Sequence, residues 1–166
     1  MKINGKTAIV TGAARGIGAA IAHKLGKKGA TGIAVVDLSD ECHQIADTIN
    51  SNQNKKIAVG FCGDVNDAKF RQEVFSSMEN QYGPVRICVP AAGIIRDGLC
   101  IKPHAESGEV IIYAESDFRK ILDINLIHPT YWAMETIASI AKYRINRGRE
   151  KWQVCLLYTS PSPRDA

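Results

Sequence analysis

Up to Pro90 the chain alternates between short apolar blocks and stretches with apolar residues every three or four positions. Thr7-Ala8-Ile9-Val10 is an apolar run ending in Thr11-Gly12, which predicts a buried parallel strand. From Ile17 a helix is predicted. Ile17, Ile21 and Leu25 form its apolar face, and Lys27-Lys28-Gly29 ends it with basic residues and a glycine. Gly32 to Val36 predicts a second strand, closed by Asp37. Ser39 can then cap a helix that turns Cys42, Ile45 and Ile49 inward. Lys56 to Phe61 predicts the third strand, before Gly63-Asp64. A helix from Asp67 with Phe70, Val74 and Met78 inside follows, then Gly83-Pro84, then a fourth strand over Val85 to Val89. Strands and helices of these lengths in alternation predict an α/β fold, a Rossmann-type doubly wound parallel sheet.

After Pro90 the pattern changes. Leu99 to Ala114 holds two short apolar runs around His104-Ala105-Glu106-Ser107-Gly108, which predicts a hairpin. A long helix is predicted from Ser116 to Ile145. Ile121, Ile124, Tyr131, Met134, Ile137 and Ile140 keep helical spacing, and a break is expected at His128-Pro129.

Length and composition narrow the class. The 166 residues suffice for one domain with a real core, and 45% hydrophobic with 23% charged is ordinary for a globular protein. No apolar run is long enough to span a bilayer, and no signal-peptide core follows Met1-Lys2-Ile3-Asn4, so a cytoplasmic protein is expected. The five cysteines lack C-x-x-C spacing, which argues against a metal site and for reduced, mostly buried thiols. Cys42-His43 is no ligand pair, because adjacent helical residues point in different directions. The net charge of +4 is mild and the basic residues around Lys142 to Lys151 complement a helix C-terminus, so no nucleic-acid partner is expected.

The chemical signal lies in Thr11-Gly12-Ala13-Ala14-Arg15-Gly16-Ile17-Gly18, placed between a strand and a helix. Gly12 permits the tight turn, Gly16 lets backbone approach a pyrophosphate, and Gly18 lets helix pack on sheet. The helix start at Ile17 offers N–H groups and a positive dipole end to phosphate. The spacing T-G-x-x-x-G-x-G resembles that of the short-chain dehydrogenase/reductase family. Extended sugar-nucleotide epimerases space their glycines differently.

The resemblance runs from Lys2 to Val154 and carries expectations with it. Asp37, at the end of the second strand, implies a carboxylate on the adenosine ribose, which favours NAD. Arg15 before the middle glycine pulls towards NADP. Asp64-Val65 resembles the family's adenine-binding pair. Ala92-Gly93 resembles the end of its Asn-Asn-Ala-Gly motif, with Pro90 and Ala91 in place of the asparagines, so other groups must brace the sheet. Asn125, in Asp123-Ile124-Asn125-Leu126, resembles the helix asparagine that supports a proton-relay water. Val89 to Ile94 with Arg96-Asp97 resembles the 3-oxoacyl-reductase branch. The implied substrate is a small carbonyl/alcohol pair, and the implied whole protein is a homo-oligomer.

The family continues with a fifth strand, a catalytic serine and a Tyr-x-x-x-Lys motif, none of which is recognisable here. Arg149 to Val154 is expected to begin the fifth strand. Tyr158 is followed four residues on by Ser162, and Pro161 and Pro163 forbid a helix. Cys155 to Asp165 reads as the in-frame translation of a transposase adapter. Residues 1–154 are therefore expected to be the dinucleotide-binding part of one domain and 155–166 a non-native tail. A fragment so composed would be inactive, leaving a non-catalytic dinucleotide-binding module as the alternative reading. The apolar segment Trp152 to Tyr158 is expected to occupy the place of the missing strand.

Overall fold

The computed structural model describes residues 2–104, 106–147 and 155–156. Strands β1 (Thr7–Thr11), β2 (Gly32–Asp37), β3 (Ala58–Cys62) and β4 (Val85–Pro90) alternate with helices α1 (Gly16–Lys27), α2 (Glu41–Gln53) and α3 (Ala68–Tyr82). A hairpin of β5 (Ile101–Pro103) and β6 (Val110–Ile112) follows. The rest is α4 (Glu115–Leu122), a π turn (Asp123–Ile127), α5 (His128–Arg147) and the two-residue β7 (Cys155–Leu156). The main sheet is parallel, in the order β3-β2-β1-β4-β7. This is the doubly wound architecture expected, in the form of an incomplete Rossmann fold. β7 pairs Cys155 with Ile87 and Leu156 with Cys88, where the segment Trp152 to Tyr158 was expected to lie. The expected strand start at Arg149 to Val154 lies outside the described residues.

Strand side chains alternate between two cores. Ala8, Val10, Ile33, Val35, Ile87 and Val89 face α1 and α2, whose Ala22, Leu25, Cys42, Ala46 and Ile49 complete one layer. Ile9, Ala34, Val36 and Cys88 face the other way, against Val74, Phe75 and Met78 of α3 and Trp132 of α5. With both faces covered, the strands of this sheet need no polar positions.

Two apolar faces differ from expectation. Ile17 was placed on the inner side of α1, yet it is 71% exposed. The helix meets the sheet through Gly18, Ala19, Ala22, Leu25 and Gly26, and the glycines and alanines among them allow a close approach. On α5 the expected stripe of Tyr131, Met134 and Ile137 is exposed, and only Ile140 of that set is buried. The buried residues of α5 are His128, Pro129, Trp132, Thr136, Ser139 and Ile140. The π turn explains the shift. Pro129 has no N–H to give the carbonyl of Asn125, and its ring crowds that carbonyl. The helix takes up one extra residue, and His128 N–H donates to Asp123 O, five positions back. The expected break is thus a change of phase within a continuous helix.

The thiols also divide unevenly. Cys42 and Cys88 are buried as expected, whereas Cys62 and Cys100 are exposed.

Candidate dinucleotide site

β1 sits between β2 and β4, so the chain runs in opposite directions from it at the carboxyl edge of the sheet. That reversal opens a crevice, the usual ligand position in such sheets. The turn after β1 lies there. Gly12 has φ +64°, and a Cβ on it would stand 2.6 Å from Ala92 Cα, so only glycine fits against the β4 loop. Gly16 also has a positive φ, +59°, but a Cβ there would meet nothing within 4 Å. One glycine is thus demanded by packing, whereas the other leaves open space in front of the helix. A Cβ on Gly18 would collide with the carbonyl of Gly12.

The start of α1 suits an anion. Arg15 is the N-cap, in extended conformation, and its side chain makes no capping bond. The first turn contains no acid. The N–H groups of the first turn have no partner within the helix and carry the positive end of its dipole. Arg15, Gly16 and Ile17 are exposed here, and Gly18 is buried behind them. Backbone N–H donors, an exposed guanidinium and open space at Gly16 fit a dinucleotide's pyrophosphate.

Asp37 closes one side. Its Oδ2 accepts from Ala14 N–H at 2.9 Å and its Oδ1 from Ser39 N–H at 3.1 Å. The carboxylate therefore ties the glycine-rich turn to the β2 loop while keeping lone pairs for a further donor. Ser39, expected as a helix cap, accepts at Oγ from Glu41 N–H at 3.3 Å, but Asp40 holds the N-cap position of α2. Asp64 is exposed and accepts from Asn66 N–H at 2.9 Å. Val65 is buried, and its carbonyl accepts from Trp132 Nε1 at 2.9 Å, so α5 fixes the loop after β3.

Ala92 and Gly93 follow β4 on the opposite side. Ala92 N–H donates to Thr11 Oγ1 at 3.3 Å. Asn125 grips the next residue twice: Ile94 N–H donates to Asn125 Oδ1 at 2.9 Å, and Asn125 Nδ2 donates to Ile94 O at 2.8 Å. Gly93 is pressed between, its Cβ position 3.3 Å from Asn125 Oδ1. The ten positions singled out around the turn and the strand ends thus lie at the carboxyl edge, and Asn125 reaches that edge from the π turn.

Two contributors escaped the sequence reading. Trp132 was passed over because the apolar pattern favoured Tyr131. His128 was read only as part of a break, yet it is 1% exposed and bonded to Thr11 Oγ1 at 3.1 Å and to Ile124 O at 2.9 Å. It provides a brace that Pro90 and Ala91 have no side-chain polar atoms to make. Burial holds its pKa below the usual value, the Ile124 carbonyl and Asp64 pull it up, and Arg71 pushes it down. Among the described residues no group of three or more His, Cys, Asp or Glu could hold a metal ion, and no helix is long and apolar enough to cross a membrane.

Comparison with known proteins agrees with this geometry. The short chain dehydrogenase family model matches residues 6–148. The chain is 39% identical over 98 residues to 2,3-dihydro-2,3-dihydroxybenzoate dehydrogenase of Bacillus subtilis, covering 58% of this chain and 36% of that protein. It is 35% identical over 112 residues to 3-oxoacyl-[acyl-carrier-protein] reductase of Escherichia coli, covering 68% of this chain and 44% of the relative. A solved structure from Novosphingobium aromaticivorans, described as that of a short-chain dehydrogenase by assignment, superposes with TM-score 0.71 at 23% identity, over 90% of this chain and 50% of the other. This chain belongs to the short-chain dehydrogenase family, and its matches span less than half the length of those two curated relatives.

Proposed function

We propose that this chain is the dinucleotide-binding part of an NAD-dependent oxidoreductase that passes hydride between nicotinamide and a small carbonyl/alcohol pair. The observation that carries the reading is the uncapped start of α1 behind Gly16, flanked by the Asp37 carboxylate. Arg15, Gly16, Ile17 and Gly18 would hold the pyrophosphate, Asp37 the adenosine ribose, Asp64-Val65 the adenine, and Ala92-Gly93 the inner part of the cofactor. The bound nicotinamide would supply the hydride. Asn125 holds the β4 loop through Ile94, and a water beside it would serve proton relay.

NAD is favoured over NADP because a 2′-phosphate would meet the negative charge of Asp37. Arg15 is the group that would favour NADP. The relatives support the substrate class, one of them being a 3-oxoacyl-[acyl-carrier-protein] reductase. We read the whole protein as a cytoplasmic homo-oligomer with no nucleic-acid or membrane partner. The 166 residues contain no Tyr-x-x-x-Lys. We read residues 1–154 as cofactor-binding and 155–166 as a non-native tail whose Cys155 and Leu156 pair with β4, with turnover needing groups that this chain does not supply. The same observation favours a second reading, a binding module without catalysis.

Titration of the chain with NAD and NADP, followed by calorimetry, tests the proposal. Saturable NAD binding that weakens in Asp37→Ala is expected, with NADP weaker in the unaltered chain. Failure to bind either dinucleotide would sink it. Turnover by the chain alone would overturn the assignment of inactivity.

A further inference from the structure

His128 opens α5 at the end of the π turn. Its Nδ1 faces the Ile124 carbonyl, which can only accept, so Nδ1 carries the proton and donates. In the neutral ring Nε2 is then an acceptor, and the Thr11 hydroxyl donates to it. Thr11 Oγ1 in turn accepts from Ala92 N–H. The bonds run in one direction, from Ala92 through Thr11 and His128 to Ile124, and a chain so ordered is strengthened by mutual polarisation.

The chain of bonds also closes on itself. Ile124 precedes Asn125, which holds both backbone groups of Ile94, and Ile94 lies two residues after Ala92. The Ala92-Gly93-Ile94 segment is therefore held at both ends, by Thr11 on β1 and by Asn125 on the π turn. Gly12 touches the same segment through Ala92. Moving His128 would move the glycine-rich turn and the Asn125 turn relative to each other.

We propose that His128 is a positioning residue that sets the register between the glycine-rich turn and the Asn125 turn, and so aligns the two sides of the dinucleotide crevice. The inference rests on the dinucleotide reading above. Burial favours the neutral ring that this bonding requires, with Arg71 acting in the same sense and the Ile124 carbonyl and Asp64 against it.

Nitrogen-15 spectra of the imidazole, together with NAD affinity of four variants, test the proposal on the full chain. The spectra should show a neutral ring in the Nδ1–H tautomer at about pH 8. Thr11→Ser keeps the hydroxyl and should bind NAD within about twofold of wild type. Thr11→Val and His128→Asn should each bind about five- to tenfold more weakly, the loss of about one buried hydrogen bond. The double variant should bind no more weakly than the weaker single, because both changes break the same link. Thr11→Val exchanges a hydroxyl for a methyl, and its Asn125 side-chain amide signals should shift although Asn125 is untouched.

An Nε2–H tautomer would overturn the proposal, as would additive losses in the double variant. NAD binding that ignores Thr11→Val and His128→Asn would overturn the alignment role alone, leaving the dinucleotide reading intact. A wild-type chain that takes up no NAD would overturn the dinucleotide reading and the alignment role together, whatever the tautomer.

Discussion

Between Thr7 and Pro90 the exposed large apolar residues are Ile17 and Leu38, each beside the crevice; between Ile94 and Ile145 they include Ile95, Leu99, Ile112, Phe118, Met134 and Ile145. The first stretch supplies its own partners. β1, β2 and β3 are each followed by a helix that returns over the sheet, and α5 covers what α3 leaves open. The second stretch has one such surface to share. α5 spends one face on β4 and α3, the β5–β6 hairpin has none of its six strand residues buried, and α4 buries nothing. An apolar residue is enclosed only where the topology brings a second surface to it, and composition alone does not tell the two stretches apart.

The sharpest way to test that contrast lies on one helix. Trp132→Ala should cost about 3–5 kcal/mol in urea unfolding, because it empties a fully enclosed site between Phe75 and His128. Met134→Ala, two residues on but more than half exposed, should change stability by less than about 0.5 kcal/mol. Similar losses for both would mean that the second face of α5 is covered after all.

A smaller pair of effects separates the two positive-φ glycines of the turn. Gly12→Ala should destabilise by about 2–3 kcal/mol, since backbone strain adds to collision with Ala92. Gly16→Ala should cost about 1–2 kcal/mol from conformation alone, and its larger effect should fall on NAD affinity. Unfolding curves and NAD titrations of the two variants would invert this order if Gly16 were the packed position.

Acid should act more gently, through His128. Its folded pKa is held below 6.5, mainly by burial, so between the two values the unfolded chain binds more protons. Stability from this group is therefore complete above about pH 7 and is lost as pH falls below the unfolded value of about 6.5. His128→Asn should flatten that part of the stability profile, and an unchanged slope would show that another group is titrating.

The thiols offer the mildest test, with no change to the protein's sequence. Burial pushes Cys42 and Cys88 up to about 11, so both are protonated and shielded at pH 8. A thiol-specific reagent should modify exposed Cys62 and Cys100 well before them. Early labelling of Cys88 would mean that the β4 layer opens readily.

The sheet was legible because each strand is a compact apolar run with a turn signal behind it, and the glycine-rich turn because its residues answer to local conformation. The phase of α5 was harder to see. A periodicity read across Asp123–Ile127 assumes 3.6 residues per turn, and the extra residue at the π turn displaces every later position by about 100°. Tyr131 was therefore selected where Trp132 is the buried ring. His128 hid for a related reason: beside a proline it signals a break, and only the three-dimensional path brings it to Thr11, 117 positions earlier.

Trp132 has one more consequence. Its indole N–H is tied to the carbonyl of Val65, next to Asp64, and its ring stands edge-on to His128 at 6.1 Å between centroids. An indole in this position is a built-in optical gauge. A protonated imidazole quenches indole emission where a neutral one does so weakly, so acid would dim this fluorophore as His128 takes up its proton. Displacement of the loop after β3 would alter the polarity sensed at the pyrrole edge and shift the emission wavelength. In Trp152→Phe, which leaves Trp132 as the one indole of the sequence, colour would report the loop and brightness would report the histidine, without an added label.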